Sequence, residues 1–410
     1  MKSMKKILEG VVVLDLTRFF SGPQCTLLLA GLGAEVIKVD DPATGDPTAF
    51  APPFAGPEGV SFRRQTDQDM GLAYLKRQRG KKSTTLNLKS SRGREIFLQM
   101  VARADVVVEN FSAGVADRLG IGYAQLREAN PKIIHCGISG YGATGPDRHM
   151  KAYDLMVQAA VGMMSITGTP EGGPTKAGTP LSDAISGTFA ALGIVSALYH
   201  RANTGEGQSV DVSMADGLFS LLFDEPLDCY GRLGLAAQQG NRIMRFSPFN
   251  AYRTADGWVA IGCATDAEWN ALLAAMGHEP QEAYSRVSDR LADNAGVDHL
   301  VGEWTRALPS AQVQQRLDEA RVPCSPVRGI DDLMQWRQLR ERDMVVPLVN
   351  PLAGRAVDAS GPGFPIKFGG ARAAYDAPAP VPGAHTAEVL ARLAAIAPEA
   401  LEQLKREGIV

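Results

Sequence analysis

The chain has 410 residues, 45% hydrophobic and 21% charged, with a formal net charge of −3. Such a length gives two or three domains with ample core, and the near balance of charge argues against nucleic acid or an anionic membrane as a partner. Five cysteines (Cys25, Cys136, Cys229, Cys263, Cys324) stand far apart without a CxxC pair, which argues against a disulfide framework or a metal centre and fits reduced thiols in a cytoplasm.

Lys2, Lys5 and Lys6 precede the run Val11-Val12-Val13-Leu14, which Asp15 breaks too early for a secretory segment. The stretch from Gly10 to Leu16 reads as a strand whose continuous apolar residues suit a parallel sheet covered on both faces. A loop, Thr17 to Pro23, leads into a helix over Gln24–Ala30, stopped by Gly31 and Gly33. A second strand covers Glu35–Val39, and the Pro- and Gly-rich residues after it read as a long surface excursion. At its end the basic run of Arg77, Arg79, Lys81 and Lys82 reads by default as solvated surface, with steering of a polyanionic ligand as the alternative. Lys82–Leu88 is a third strand, Arg92–Arg103 a helix and Val106–Val108 a fourth strand. Ala113–Leu119 and Tyr123–Ala129 are short helices, and Lys132–Ile138 is a fifth strand. This alternation predicts an α/β fold built on an open, Rossmann-like parallel sheet.

An apolar helical run then reaches Tyr199, too short to span a bilayer. The turn Asn203–Gln208 follows, then a strand over Ser209–Ser213 and a helix over Met214–Phe223. Near Pro226 the texture changes to a hairpin, Pro248–Thr254 with Trp258–Gly262, and a helix over Ala267–Met276. The predicted division is a large domain over 1–225, a smaller α+β domain over 226–325, and a segment 326–410 that returns to the large domain. In that last segment Pro351–Ser360 and Phe364–Phe368 are strand or loop candidates, and Thr386–Ala397 is a helix stopped by Pro398.

The most informative stretch is Leu181-Ser182-Asp183-Ala184-Ile185-Ser186-Gly187. Asp183 falls where a helix should begin, among small residues that let a ligand approach. Unpaired N–H groups and the macrodipole favour its ionised form there. Read alone, it is a helix N-cap. A nicotinamide-binding reading, suggested by Asp40-Asp41 after the second strand, fails at the first turn. That turn reads Arg18-Phe19-Phe20-Ser21-Gly22-Pro23, without G-x-G-x-x-G.

Further segments run in order along almost the whole chain: Val13-Leu14-Asp15-Leu16-Thr17 with Ser21-Gly22-Pro23, and Leu32-Gly33-Ala34-Glu35-Val36-Ile37-Lys38-Val39. Lys81-Lys82-Ser83 running to Leu86-Asn87-Leu88-Lys89 comes next, followed by Asp105-Val106-Val107-Val108-Glu109-Asn110-Phe111. Thr204-Gly205-Glu206-Gly207-Gln208 and Gly383-Ala384-His385-Thr386 complete the set. The ordered set resembles the family III CoA-transferases, the CaiB/BaiF group that includes formyl-CoA transferase and carnitine CoA-transferase. The resemblance implies an enzyme that moves CoA from an acyl-CoA to a free carboxylic acid, an interlocked homodimer, and a nucleophilic carboxylate at Asp183. It also implies coenzyme A contacts at Phe20, Ser21, Leu86, Asn87, Leu88, Lys89, Asn110, Phe111, Ser112, Arg118, Lys151 and Tyr153. Lys89, Arg118 and Lys151 suit phosphates, and Phe111 suits adenine or pantetheine. Each has a plainer reading: Lys89 a strand end, Arg118 a solvated charge, Tyr153 a core residue.

The chain departs from the family pattern in places. Oxalate-handling members carry glutamine where this chain has Phe20, and an arginine near Asp41. The His-Asp pair of the related racemases reads Tyr153-Asp154, and tyrosine is a poor base at neutral pH. Only Gln239-Gly240-Asn241 hints at the glycine-rich loop of some transferases. Phe19 and Phe20 suggest a partly apolar acyl pocket. Of the six histidines, His135 reads as core and His385 as a structural hydrogen-bonding residue, while His149 stands near Lys151. An acyl-CoA racemase or epimerase on the same scaffold, and a non-catalytic CoA-binding protein, remain the alternatives.

Overall fold

The computed structural model describes residues 5–222 and 226–410. The chain divides into two units, one of residues 1–161, 177–225 and 337–410, the other of residues 162–176 and 226–336.

In the first unit six parallel strands form one sheet: β1 (Val12–Asp15), β2 (Glu35–Asp40), β3 (Lys82–Thr85), β4 (Val106–Glu109), β5 (Ile134–Ser139) and β6 (Ser209–Ser213). Their order is β3-β2-β1-β4-β5-β6, with Val13 of β1 opposite Val36 on one side and Val106 on the other. Strand order reverses between β1 and β4, so the chain leaves their carboxyl ends in opposite directions. The crevice opened there is where α/β sheets take ligands. The helices that matter for it are α1 (Ser21–Leu32), α2 (Leu72–Arg77), α3 (Ser91–Val101), α4 (Asp154–Ala160), α5 (Leu181–Thr204) and α6 (Met214–Leu222).

Alternate side chains of a strand face opposite sides, and the two faces of this sheet differ. Leu14, Ile37 and Val39 enter an apolar core with Ile96, Phe97 and Met100 of α3. Val389, Leu390, Leu401 and Leu404 of the C-terminal helices complete it. Asp15, Lys38 and Asp40 point the other way and are buried too. Lys38 Nζ lies 3.1 Å from both Asp40 and Asp46, and Lys81 Nζ 3.1 Å from Asp15. The strands are therefore covered on both faces, but one face mixes buried valines (Val13, Val36, Val106, Val108) with an ion cluster. Nor is the basic run a solvated surface: Arg79 and Lys81 are buried, drawn in by these carboxylates and by backbone carbonyls.

Other boundaries move for local reasons. β3 ends at Thr85, so Leu86–Lys89 forms the turn into α3, which Ser90 caps by accepting the Gly93 N–H at 2.9 Å. The presumed surface excursion contains a three-stranded sheet of Phe54–Gly56, Gly59–Ser61 and Met70–Gly71, followed by α2. Strands of two or three residues are too short to show an alternating pattern. α5 is 24 residues long, enough by length and composition to cross a bilayer. Here Ser186, Gly187, Ala190, Ala191, Ile194 and Ala197 bury one side of it within the unit.

The second unit pairs Phe249–Arg253 with Trp258–Gly262 as the predicted hairpin, and Cys324–Pro326 adds a third strand. Helix Asp266–Met276 starts at a capping box of Thr265 and Glu268. Trp269, Leu272 and Leu273 pack with Val297 and Val301 to fill its core.

Candidate active site

Beyond β1 the chain runs through Arg18, Phe19 and Phe20 into α1. The Asn110 side chain, just past β4, accepts the Arg18 N–H at 2.9 Å and donates to the Arg18 carbonyl at 2.8 Å. This amide bridges the crevice and fixes the loop. Phe19 is held at φ 67°, a left-handed conformation that costs a phenylalanine on the order of 1 kcal/mol. Arg77, at the end of α2, donates from Nη1 to the Phe19 carbonyl at 2.7 Å. Its guanidinium carbon lies 4.0 Å from the centroid of the Phe20 ring. Tyr153 meets the Phe19 ring edge-on at 6.1 Å; it is exposed, a wall of the site rather than a core residue.

α1 and α5 bring their N-terminal ends together. A Cβ on Gly187 would stand 2.5 Å from the Ser21 carbonyl oxygen, so only glycine permits this approach. The result sets the Asp183 carboxylate against the N–H and hydroxyl of Ser21, the first residue of α1. Asp183 is not the N-cap. The helix begins at Leu181, and Asp183 lies in its first turn. Capping comes from another element, as Asp154 Oδ1 at the start of α4 accepts the Ser182 N–H at 2.9 Å and its hydroxyl at 2.8 Å. Asp154 Oδ2 accepts from Gln158 at 2.7 Å.

Asp183 is half-buried, neither sealed in the core nor fully solvated. Burial raises its pKa to about 6, Asp154 adds to the rise, and Arg77 and Ser21 oppose it. Desolvation outweighs the two helix N-termini that favour its ionised form. At pH 7 the group is still mostly ionised. The site therefore presents an accessible anionic oxygen of raised basicity, backed by donors.

The structure brings together Phe20, Ser21, Tyr153 and Asp183, with Asn110 holding their loop. Phe111 and Ser112 line a cavity of about 270 Å³ with Glu109 and His135 at the carboxyl ends of β4 and β5. Leu86 is a core side chain, 1% exposed, and offers nothing to a ligand. Asn87 is tied to the C-terminal segment, its N–H donating to the Ile409 carbonyl at 2.8 Å. Leu88 packs beside the core. Lys89 pairs with Asp41 at 3.0 Å with most of its side chain in solvent, and Arg118 and Lys151 are exposed. His385 accepts the Ser83 N–H at 3.2 Å through Nδ1, a structural tie. Gln239-Gly240-Asn241 belongs to the second unit, where the Gly240 N–H donates to the Gly168 carbonyl.

Two site residues escaped the sequence reading. Arg77 sat in a basic run whose burial no local pattern reveals. Asp154 was noted only as half of a pair, and its reach to Ser182 is a non-local contact.

Comparison with known proteins supplies the chemistry. CoA-transferase family III matches residues 8–386. Acetyl-CoA:oxalate CoA-transferase of Acetobacter aceti is 37% identical over 382 residues, 92% of each chain. Succinyl-CoA:mesaconate CoA-transferase of Haloarcula marismortui is 36% identical, over 93% of this chain and 95% of its own. The crystal structure of a CAIB/BAIF family protein from Brucella suis superposes with a TM-score of 0.80 at 30% identity, over 95% of this chain and all of that one. With a family match across the site and relatives that cover nearly the full length, the chain belongs to CoA-transferase family III.

Proposed function

We propose that the enzyme moves CoA from a short-chain acyl-CoA to a free carboxylic acid through covalent intermediates on Asp183. The observation that carries this reading is the half-buried Asp183 carboxylate set against the Ser21 N–H and hydroxyl. Asp183 attacks the thioester carbon; the C–S bond breaks, CoA thiolate leaves, and a mixed anhydride forms. The thiolate then attacks the Asp183 carbonyl carbon, which releases the donor acid and leaves an aspartyl-CoA thioester. The acceptor carboxylate attacks that carbonyl and displaces the thiolate, giving a second anhydride. The thiolate finally attacks the acceptor's acyl carbon, which frees Asp183 and the new acyl-CoA. No proton is gained or lost overall, so the site needs no general base. Negative charge developing on the Asp183 oxygens meets the Ser21 donors.

Asp154, the acid of the pair that racemases use, instead caps α5, with its oxygens accepting from Ser182 and Gln158. The reading also places a second copy of the chain over an exposed apolar face of the first unit. Leu192 is 60% and Tyr199 75% exposed on α5, and Leu155 and Met156 of α4 are exposed as well; a second copy would cover such apolar side chains. Light scattering is expected to show a dimer, and a monodisperse monomer would remove that part of the reading.

Incubation with acetyl-CoA or succinyl-CoA and hydroxylamine is expected to convert Asp183 to its hydroxamate, located by intact mass and peptide mapping. If the parent turns over acyl-CoA while Asp183 stays unmodified under these conditions, the covalent route is wrong.

A further inference from the structure

We propose that Arg77 is the carboxylate-recognition residue of this site, holding the free acid that leaves and the one that enters. The inference rests on the transfer reading above and specifies how its acid substrate is bound. Three observations support it. The Arg77 guanidinium spends one donor on the Phe19 carbonyl, and its carbon lies over the Phe20 ring, 4.0 Å from the centroid. A guanidinium carries five donors, so most of them remain for a ligand. Among the described residues no carboxylate stands within ion-pair distance of it, although its charge is felt at Asp183. It is half-buried, where a cation is less screened than on an open surface.

The reaction itself demands such a group. A free carboxylate must come up to the Asp183 thioester while Asp154 stands nearby, and that like charge repels it. Among the described residues, Arg77 is the cation that acts on Asp183. A planar fork matches a carboxylate in two-point geometry, which an ammonium cannot do. The Phe20 ring packs against that fork, and the short bond to Phe19 fixes its height above the loop. Phe19, Phe20 and Tyr153 then flank the acid's carbon chain, so acids with a small apolar body fit the site.

The test compares the parent with Arg77→Gln and Arg77→Lys at pH 8, where Asp183 is ionised in all three. Transfer from acetyl-CoA or succinyl-CoA to acetate, oxalate and succinate is followed by separating the CoA esters. The expected result is a rise of roughly 10–100-fold in KM for the acid in Arg77→Gln, with KM for the acyl-CoA within about threefold of the parent. Product inhibition by the donor acid should weaken by the same factor as KM for the acceptor. Arg77→Lys should keep part of the affinity, since the charge survives and the fork does not. An acid KM within threefold of the parent in Arg77→Gln overturns the proposal. So does a parallel rise in both KM values, which would show that Arg77 only props the Phe19-Phe20 loop. Thermal melting of both variants guards against an unfolded protein, and Arg77→Lys keeps the question open to test if Arg77→Gln fails to fold. Failure of the transfer reading looks different: the parent then gives no acid-dependent exchange of CoA esters at all.

Discussion

Asp183→Asn is expected to lower turnover at least about 10⁴-fold while leaving the protein more resistant to heat at neutral pH. On the proposed route the activity loss follows from removing the attacking oxygen: an amide would not form the anhydride, and no other described carboxylate beside Ser21 can replace it. The gain in stability follows from linkage. The Asp183 carboxyl titrates near pH 6 in the folded chain against an ordinary value of 3.8. Between those values the folded chain binds more protons than the unfolded one. Stability therefore falls as pH rises through that window, and the full penalty is present at pH 7. Asparagine carries no such penalty, so the variant should melt above the parent at pH 7, and the gap should narrow near pH 4. The same titration gives the parent's turnover an acidic limb near pH 6, because only the ionised carboxylate attacks. Melting curves and a pH–rate profile on one preparation check all of this. A variant that keeps turnover and melts lower would make Asp183 a structural residue of the first turn.

How much of this was legible in the sequence depends on how local each signal is. All six strands of the main sheet were found because runs such as Val106–Val108 and Ser209–Ser213 carry their pattern within a few residues, and glycines or charges bound them. Asp183 stood out by its small neighbours, and the resemblance carried by the ordered segments implied a nucleophile there. The helix start was misplaced because its cap is Asp154, a residue 28 positions earlier. Arg77 was misread because a basic run looks the same whether solvent or a carboxylate cluster receives it. Here a signal existed and went unused. Asp15 interrupts Val11–Leu14 and Lys38 interrupts Val36–Val39, and a charge inside a covered strand needs a buried partner. Pairing them in advance would have pulled Lys81 inward, and the chain on either side of it with it.

That cluster carries the largest expected effect on stability. Lys81→Met should destabilise the first unit by about 3–5 kcal/mol, because removing one member of a buried ion pair leaves the other without compensation. Lys81 Nζ meets Asp15 at 3.1 Å, Thr26 Oγ1 at 2.7 Å, Gln78 Oε1 at 2.8 Å and the Pro23 carbonyl at 3.2 Å. Burial opposes the charge on both Lys81 and Asp15, yet their mutual attraction keeps the Asp15 carboxyl below the ordinary range. In the variant Asp15 retains its bonds from Thr17 and Thr26 but loses its nearest cation. Lys38 cannot take over, since Asp40 and Asp46 already hold it and its Nζ donates to the Thr17 carbonyl at 2.6 Å. The melting temperature should fall by roughly 10 °C, and added salt should not narrow the difference, because counterions screen buried pairs far less than exposed ones. Adding Asp15→Asn should recover part of the loss, as the double variant buries one charge fewer and asparagine still accepts from Thr17. Losses that merely add across the two sites, or a single-variant cost below about 1 kcal/mol, would mean that solvent reaches Lys81. The cluster bears on the site as well as on the core. Lys81 grips the first two turns of α1 through Pro23 and Thr26, and Lys38 grips the loop through Thr17. Both lysines therefore hold in place the segment on which Ser21 meets Asp183.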